Sequence, residues 1–150
     1  MWHTVLITVH AVAGVVAFVA GCLALRRDTA FPTYLWALVT TMVFLALAIA
    51  QEWGSIDWPA RALFLAFLGL GGVMLWRADR ARRIRDAGSP SYVGHIGFTL
   101  VALFDAFVVV AVLNAGAPVW AVVAAGVLIA VAGHFVLGAL RPLRTMPGLR

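Results

Sequence analysis

The chain has 150 residues, of which 64% are hydrophobic and only 11% are charged. Soluble domains carry about 25% charged residues, so this composition excludes an ordinary soluble protein and indicates one that is surrounded by lipid. The formal net charge is +5, and every positive side chain is an arginine. Almost all of these arginines lie between apolar segments, which is a topology signal and gives no support to nucleic-acid binding.

Five apolar runs follow one another along the chain, and each is about as long as a bilayer-spanning helix requires. They cover residues 3–25, 33–52, 60–77, 92–114 and 118–140. We therefore predict an all-α fold, with a single polytopic membrane domain that is a bundle of five transmembrane helices. In a four-helix alternative the third run would lie on the membrane surface, and the arginine-rich connectors would then no longer all lie on one side of the membrane.

The connectors between the runs alternate in charge. Arginines follow the first, third and fifth runs, whereas the connectors after the second and fourth runs carry none. By the positive-inside rule, the N-terminus lies outside and the C-terminus lies in the cytoplasm. Because Arg26 and Arg27 follow the first run and no basic segment precedes it, we predict a retained helix; a cleaved signal peptide is the alternative.

Aromatic residues support the same orientation, since Trp and Tyr prefer the headgroup level of a bilayer. They flank the outer ends of the runs as Trp2, Trp53, Trp58 and Trp120, and the inner ends as Tyr34, Trp36, Trp76 and Tyr92. The basic connector from Arg77 to Ser91 is expected to extend the third helix, which would end at Gly88-Ser89-Pro90. The expected location is the cytoplasmic (inner) membrane of a bacterium.

Six polar residues lie inside these runs or at their ends, where lipid makes them costly and therefore informative: His10, Glu52, Arg61, His95, Asp105 and His134. Glu52 and Arg61 flank the outer turn between the second and third runs, where an ion pair would fix a hairpin. Asp105 falls near the bilayer centre, so we expect it to be protonated, paired or facing a water-filled cavity. When residues are counted from the outer ends of the runs, His10 lies at the depth closest to that of Asp105. If the first and fourth helices touch, these two side chains could pair and form a proton or ligand site.

The histidines are the candidate cofactor ligands. His95 and His134 lie near the cytoplasmic ends of the fourth and fifth runs, which we expect to be antiparallel neighbours, and differ in depth by about 6 Å. Glycines flank both, and imidazole beside small residues suits an axial ligand of haem b or a metal in a helical bundle. His10 is the third candidate. For all three, a hydrogen bond between helices is the alternative.

The first run contains the segment His10-Ala-Val-Ala-Gly14-Val-Val-Ala17-Phe-Val-Ala-Gly21, whose small residues share a helix face with the histidine. Small residues at these spacings let another helix approach closely. With the basic stretch from Arg77 to Gly88 and His95 after it, this segment resembles the uncharacterised bacterial membrane proteins catalogued as domain of unknown function 2306. The resemblance implies a histidine-bearing membrane bundle and supplies no activity. That family has a histidine shortly after the first helix, where this chain has Phe31-Pro32-Thr33-Tyr34.

Three functions stay open on the sequence. The first is a small cytochrome-like protein that binds haem or a metal and transfers electrons. The second is a non-enzymatic accessory or assembly subunit, packed against a larger membrane complex or another copy of itself. The third is a small transporter or proton pathway that uses Asp105 with His10 or Glu52. A stand-alone enzyme is not expected, because the sequence has no phosphate-binding glycine loop, HExxH, CxxC or nucleophile elbow and its connectors are short.

Overall fold

The structure, a computed structural model, describes residues 2–84, 86 and 89–143. Within these residues the chain forms five α-helices: α1 (Trp2–Ala24), α2 (Phe31–Glu52), α3 (Trp58–Ile84), α4 (Pro90–Asn114) and α5 (Val119–Leu143). Each helix is long and apolar enough to cross a membrane, so the predicted all-α bundle of five such helices is confirmed. As expected, α3 continues into the basic stretch. The predicted positions of Arg85, Gly88, Arg144 and Arg150 lie outside the described residues.

Local sequence signals explain where α4 begins and ends. Pro90 occupies the first turn, where its missing N–H leaves no hydrogen bond unmade, and the Ser89 hydroxyl caps the helix by accepting from the Tyr92 amide at 3.2 Å. After Asn114 the connector turns at Gly116, whose φ of 78° lies in the left-handed region that favours glycine. This short turn sends α5 back along α4, and the predicted antiparallel pair is confirmed.

The core lies where α1, α2, α3 and α4 meet. Every buried residue of α1 is an alanine or a glycine, which lets α2 and α4 approach its backbone closely. A Cβ added at Gly14 would lie 3.3 Å from the Phe107 ring, and one at Gly21 would lie 2.8 Å from Leu100. The close packing that the spacing of these glycines predicts is therefore confirmed.

Tyr34, in the first turn of α2, is fully buried in the bundle and joins α2 to α4. Its hydroxyl hydrogen-bonds the Thr99 hydroxyl, which itself donates to the Ile96 carbonyl oxygen at 2.8 Å. Since Ile96 accepts from Thr99, the direction of the chain is fixed: Tyr34 donates and Thr99 accepts. A tyrosine can occupy the core here because its polar end finds a partner there.

Tyr92, in the first turn of α4, is also buried in the bundle. Its hydroxyl donates to the Ala24 carbonyl oxygen at 3.2 Å, which ties the start of α4 to the last turn of α1. Trp36 and Trp76, by contrast, lie on the surface of the bundle and are 71% and 55% exposed.

We expect Thr99→Val to lower the free energy of unfolding by about 1–3 kcal/mol, because it leaves the buried Tyr34 hydroxyl without its acceptor. Tyr34→Phe should lower the free energy of unfolding by less, because the Thr99 hydroxyl keeps its hydrogen bond to the Ile96 carbonyl oxygen. The double variant should be more stable than Thr99→Val alone. Denaturant titration in detergent micelles measures all three, and costs that simply add would contradict the coupling.

The helix α5 lies at the periphery of the bundle. Among the described residues, α5 contacts no helix other than α4, and α3 packs on α2 and α4. Over the described residues the backbones of α3 and α5 do not come close to each other, and a space remains between these two helices beside α4.

Candidate functional site

The space between α3, α4 and α5 is a cleft of about 430 Å³, a volume within the range of small-molecule sites. Most of its lining is apolar or small: Leu70, Gly94, Phe98, Val101, Ala102, Ala130, Gly133, Leu137 and Gly138. Each of the three helices adds one side chain that carries charge or can exchange a proton, namely Arg77 from α3, Asp105 from α4 and His134 from α5. We refer to this space as the main cleft.

Close contacts between α4 and α5 fix the register of the main cleft. A Cβ added at Gly97 would collide with Leu137, and one added at Gly133 would collide with Val101. The two helices are therefore in antiparallel register over this stretch, and small residues set their separation. The glycine next to His134 thus serves helix packing.

Asp105 is half-buried, and its Oδ1 is a buried oxygen without a hydrogen-bond partner among the described residues. Gly126 of α5 lies opposite, since a Cβ added there would be 3.4 Å from this oxygen. Of the three expected surroundings for Asp105, the structure shows a cavity beside the carboxyl group. Leaving a polar oxygen unsatisfied inside an apolar bundle costs free energy, so this position needs a reason beyond folding.

Arg77 is the cleft residue that sequence reasoning missed, because it was assigned to the basic connector. Its guanidinium Cζ lies 4.3 Å from the centroid of the Phe98 ring, and its Nη2 donates to the Gly94 carbonyl oxygen at 3.5 Å. One signal could have found it: Arg77 follows Leu70 by seven residues, two helical turns, so both project from one face of α3.

His95 lines a smaller, neighbouring cleft of about 270 Å³, together with Pro90 and Ser91 at the start of α4. Arg77 and Gly94 line both clefts, so the two spaces adjoin at the guanidinium. The His95 Nδ1 is buried without a hydrogen-bond partner among the described residues.

The two preferred histidines therefore face different clefts. By the α4–α5 register, His134 lies at the level of Leu100, five residues deeper than His95, which is about 7.5 Å and close to the predicted depth difference. His134 is exposed on α5, whereas His95 is partly buried on α4. Within residues 2–84, 86 and 89–143, no three side chains of His, Cys, Asp or Glu come together as a metal site.

His10 lies on the other side of the bundle, where α1 meets α2. Its Nδ1 donates to the Thr41 carbonyl oxygen at 2.9 Å, which is the interhelical hydrogen bond considered for it. The structure does not bring His10 to Asp105, because the aspartate faces α5 and the main cleft.

Glu52 and Arg61 do not form the predicted ion pair; the described ion pairs all involve Asp79 instead. Glu52 Oε2 accepts from the Ser55 hydroxyl at 2.8 Å, and the Arg61 guanidinium lies 5.5 Å from the centroid of the Trp53 ring. Each charged group therefore has a partner nearer in the sequence than the other charge: the Ser55 hydroxyl for Glu52 and the Trp53 ring for Arg61. Neither residue reaches the main cleft.

Together, these positions make the main cleft an apolar slot with a guanidinium near one end, a carboxyl group deep inside and an imidazole on the opposite wall. Such groups can pair with an anion, accept or donate a hydrogen bond and exchange a proton. Compared with protein-family models, curated proteins and solved structures, the chain matches none of them.

Proposed function

We propose that this protein binds a small molecule in the main cleft, with Asp105 as the central polar contact, and so acts in the transport of that molecule or of a proton. The observation that carries the proposal is the unpartnered Asp105 Oδ1 beside a cavity of this size. A ligand that donates a hydrogen bond to this oxygen would remove the cost of burying it.

The roles of the other polar side chains follow from their positions. His134 faces the same cleft from α5 and offers a hydrogen-bond donor and acceptor to the ligand. Arg77 keeps a permanent positive charge where the main cleft adjoins the smaller one. Because the backbones of α3 and α5 stay apart over the described residues, a molecule dissolved in the bilayer can reach the cleft sideways between these helices.

The experiment compares two glycine variants. A Cβ added at Gly138 or at Gly72 meets no atom within 4 Å, but only Gly138 lines the main cleft. Gly138→Leu therefore fills the cleft, and Gly72→Leu is a matched control on the outer surface of α3. Wild type and both variants are purified in mild detergent, extracted with organic solvent and analysed by mass spectrometry.

We expect a small molecule at near one per chain in the wild type and in Gly72→Leu, and at least about tenfold less in Gly138→Leu. Identical extracts from all three proteins would contradict the proposal.

A second candidate function, haem binding, is favoured by the placement of His134 in the main cleft between Gly133 and Gly138. His134 would be an axial ligand of haem b, with His95 in the adjoining cleft as the other preferred residue and His10 outside both. The same purified samples decide it by their absorption spectra. A Soret band at near one haem per chain that disappears in His134→Ala supports this function, whereas a protein that is still colourless after haem is added back argues against it.

The topology that goes with either function places the arginine-rich connectors in the cytoplasm of a bacterium, with the N-terminus outside. In a Cys22→Ser background, Thr29→Cys and Ala115→Cys place single exposed thiols in connectors at opposite ends of the bundle. A membrane-impermeant maleimide should label the thiol at 115 in intact spheroplasts, and the thiol at 29 only after permeabilisation. Labelling at 29 in intact spheroplasts, and at 115 only after permeabilisation, would show that the chain has the opposite orientation.

A further inference from the structure

We infer that the ligand of the main cleft is an apolar amine, which binds Asp105 as an ammonium ion and displaces a proton from the carboxyl group. This inference rests on the proposed function of the cleft. It adds the chemical class of the molecule and the coupling of its binding to the release of a proton.

The surroundings of Asp105 leave its carboxyl group to the ligand. Its Oδ1 is buried and has no hydrogen-bond partner among the described residues. On the facing wall of α5, a Cβ added at Gly126 would lie 3.4 Å from Oδ1 and 3.7 Å from Oδ2. Ala130, about one helical turn further along α5, lines the cleft. Neither residue has a polar side chain, so neither competes with a ligand for the carboxyl group.

The carboxyl group is expected to hold a proton when the cleft is empty. An ionised carboxylate without a partner inside an apolar bundle is far more costly than a neutral carboxylic acid. The other cleft side chains that titrate or carry charge are His134 on α5 and Arg77 on α3. The Arg77 guanidinium lies against Phe98, a ring that precedes Asp105 by two helical turns of α4. Asp105 itself takes part in no ion pair among the described residues.

A protonated amine satisfies this carboxyl group better than a neutral hydroxyl group does. Both can donate a hydrogen bond to Oδ1, but the ammonium also brings the positive charge that lets Asp105 be ionised inside the bundle. A hydrogen bond between charged groups is about twice as strong as one between neutral groups. The neighbouring lining on α4, Val101 and Ala102, is apolar, so the rest of the molecule is apolar too.

Binding exchanges one positive charge for another. The amine arrives from water as its ammonium ion, Asp105 gives its proton to water, and the ammonium and the carboxylate form an ion pair. The net charge inside the low-dielectric bundle therefore does not change. Because the proton and the ammonium need the same carboxyl group, each excludes the other, as the exchange of an amine for a proton across a membrane requires.

The test compares octylamine with octan-1-ol, which have the same chain and differ only in the polar group. The purified full chain in nanodiscs of zwitterionic lipid is titrated calorimetrically at neutral pH, with empty nanodiscs as the blank. We expect octylamine to bind at least about tenfold more tightly than octan-1-ol. Octylamine titrations in phosphate and in Tris, whose heats of ionisation differ, should show about one proton released for each molecule bound.

Three variants assign the effect to one carboxyl group. Asp105→Asn keeps the shape of the side chain but cannot ionise, so it should lose both the preference for the amine and the release of the proton. Asp79→Asn is the matched control and should keep both, because Asp79 is bound by Arg82 and Arg83 on the helix exterior. In His134→Gln, each octylamine molecule that binds should still release a proton.

Equal affinities for the amine and the alcohol would overturn the inference, as would octylamine binding to the wild type or to His134→Gln without release of a proton. Equal losses in Asp79→Asn and Asp105→Asn would overturn it too. If Gly138→Leu still loses its co-purified molecule in that case, the cleft keeps its proposed function and only the ligand class is wrong. If Gly138→Leu retains every molecule that the wild type retains, both proposals fail together.

Discussion

Asp105→Leu is expected to raise the free energy of unfolding of the ligand-free protein by about 1–3 kcal/mol, while abolishing retention of the ligand. Leucine branches at Cγ as aspartate does, so it fits the same space opposite Gly126. The substitution removes a buried oxygen that has no partner among the described residues and replaces it with a methyl group suited to the apolar lining. Stability gained together with function lost is the pattern of a residue kept for its chemistry.

The measurement is denaturant unfolding of ligand-free protein in micelles, alongside mass spectrometry of the co-purified molecule. Asp79→Leu is the control, because Asp79 is bound by Arg82 and Arg83 at 2.7 and 2.8 Å on the helix exterior. That variant should gain no stability and keep the ligand. A destabilised Asp105→Leu would show that the carboxyl group has a protein partner in the folded bundle.

Gly21→Leu is expected to lower the free energy of unfolding by about 3 kcal/mol. A Cβ at this position already lies 2.8 Å from Leu100 Cδ2 and 3.0 Å from Tyr34 Cδ2, before the rest of the leucine is placed. Tyr34 cannot move aside cheaply, because it is fully buried and hydrogen-bonded to Thr99. The larger side chain must therefore push α1 away from α2 and α4.

Gly72→Leu is the matched control for this prediction as well. Both positions are inside helices, so both gain the same helix propensity, but a Cβ at Gly72 meets no atom within 4 Å. Its stability should change by no more than about 0.5 kcal/mol. Equal thermal midpoints for the two variants would mean that α1 does not pack through Gly21.

The features that could be predicted from the sequence are those that depend on length and on local spacing. An apolar run of about 20 residues has few folded alternatives to a spanning helix, and the short connector before α5 makes it a neighbour of α4. The spacing of Gly14 and Gly21 correctly predicts that α1 packs closely, since small residues on one face leave room for a second backbone.

The features that could not be predicted concern which neighbour each helix face meets. In a soluble bundle an apolar stripe marks the inner face, but here lipid makes the outer faces apolar too, so the pattern loses that information. Counting along helices gave the relative depths of His95 and His134 but could not show that they line different clefts. For the same reason Arg77 was taken for a connector residue, and the sequence did not show that Tyr34 and Tyr92 are buried in the core.

A cryo-electron microscopy map of the protein, purified in mild detergent without removing bound small molecules, tests the main cleft most directly. We predict α3 and α5 held apart on either side of α4, with density for a bound molecule that touches the Asp105 carboxyl group. Closure of α3 onto α5, with that carboxyl group bonded to another protein side chain and no further density beside it, would contradict a binding site at this position.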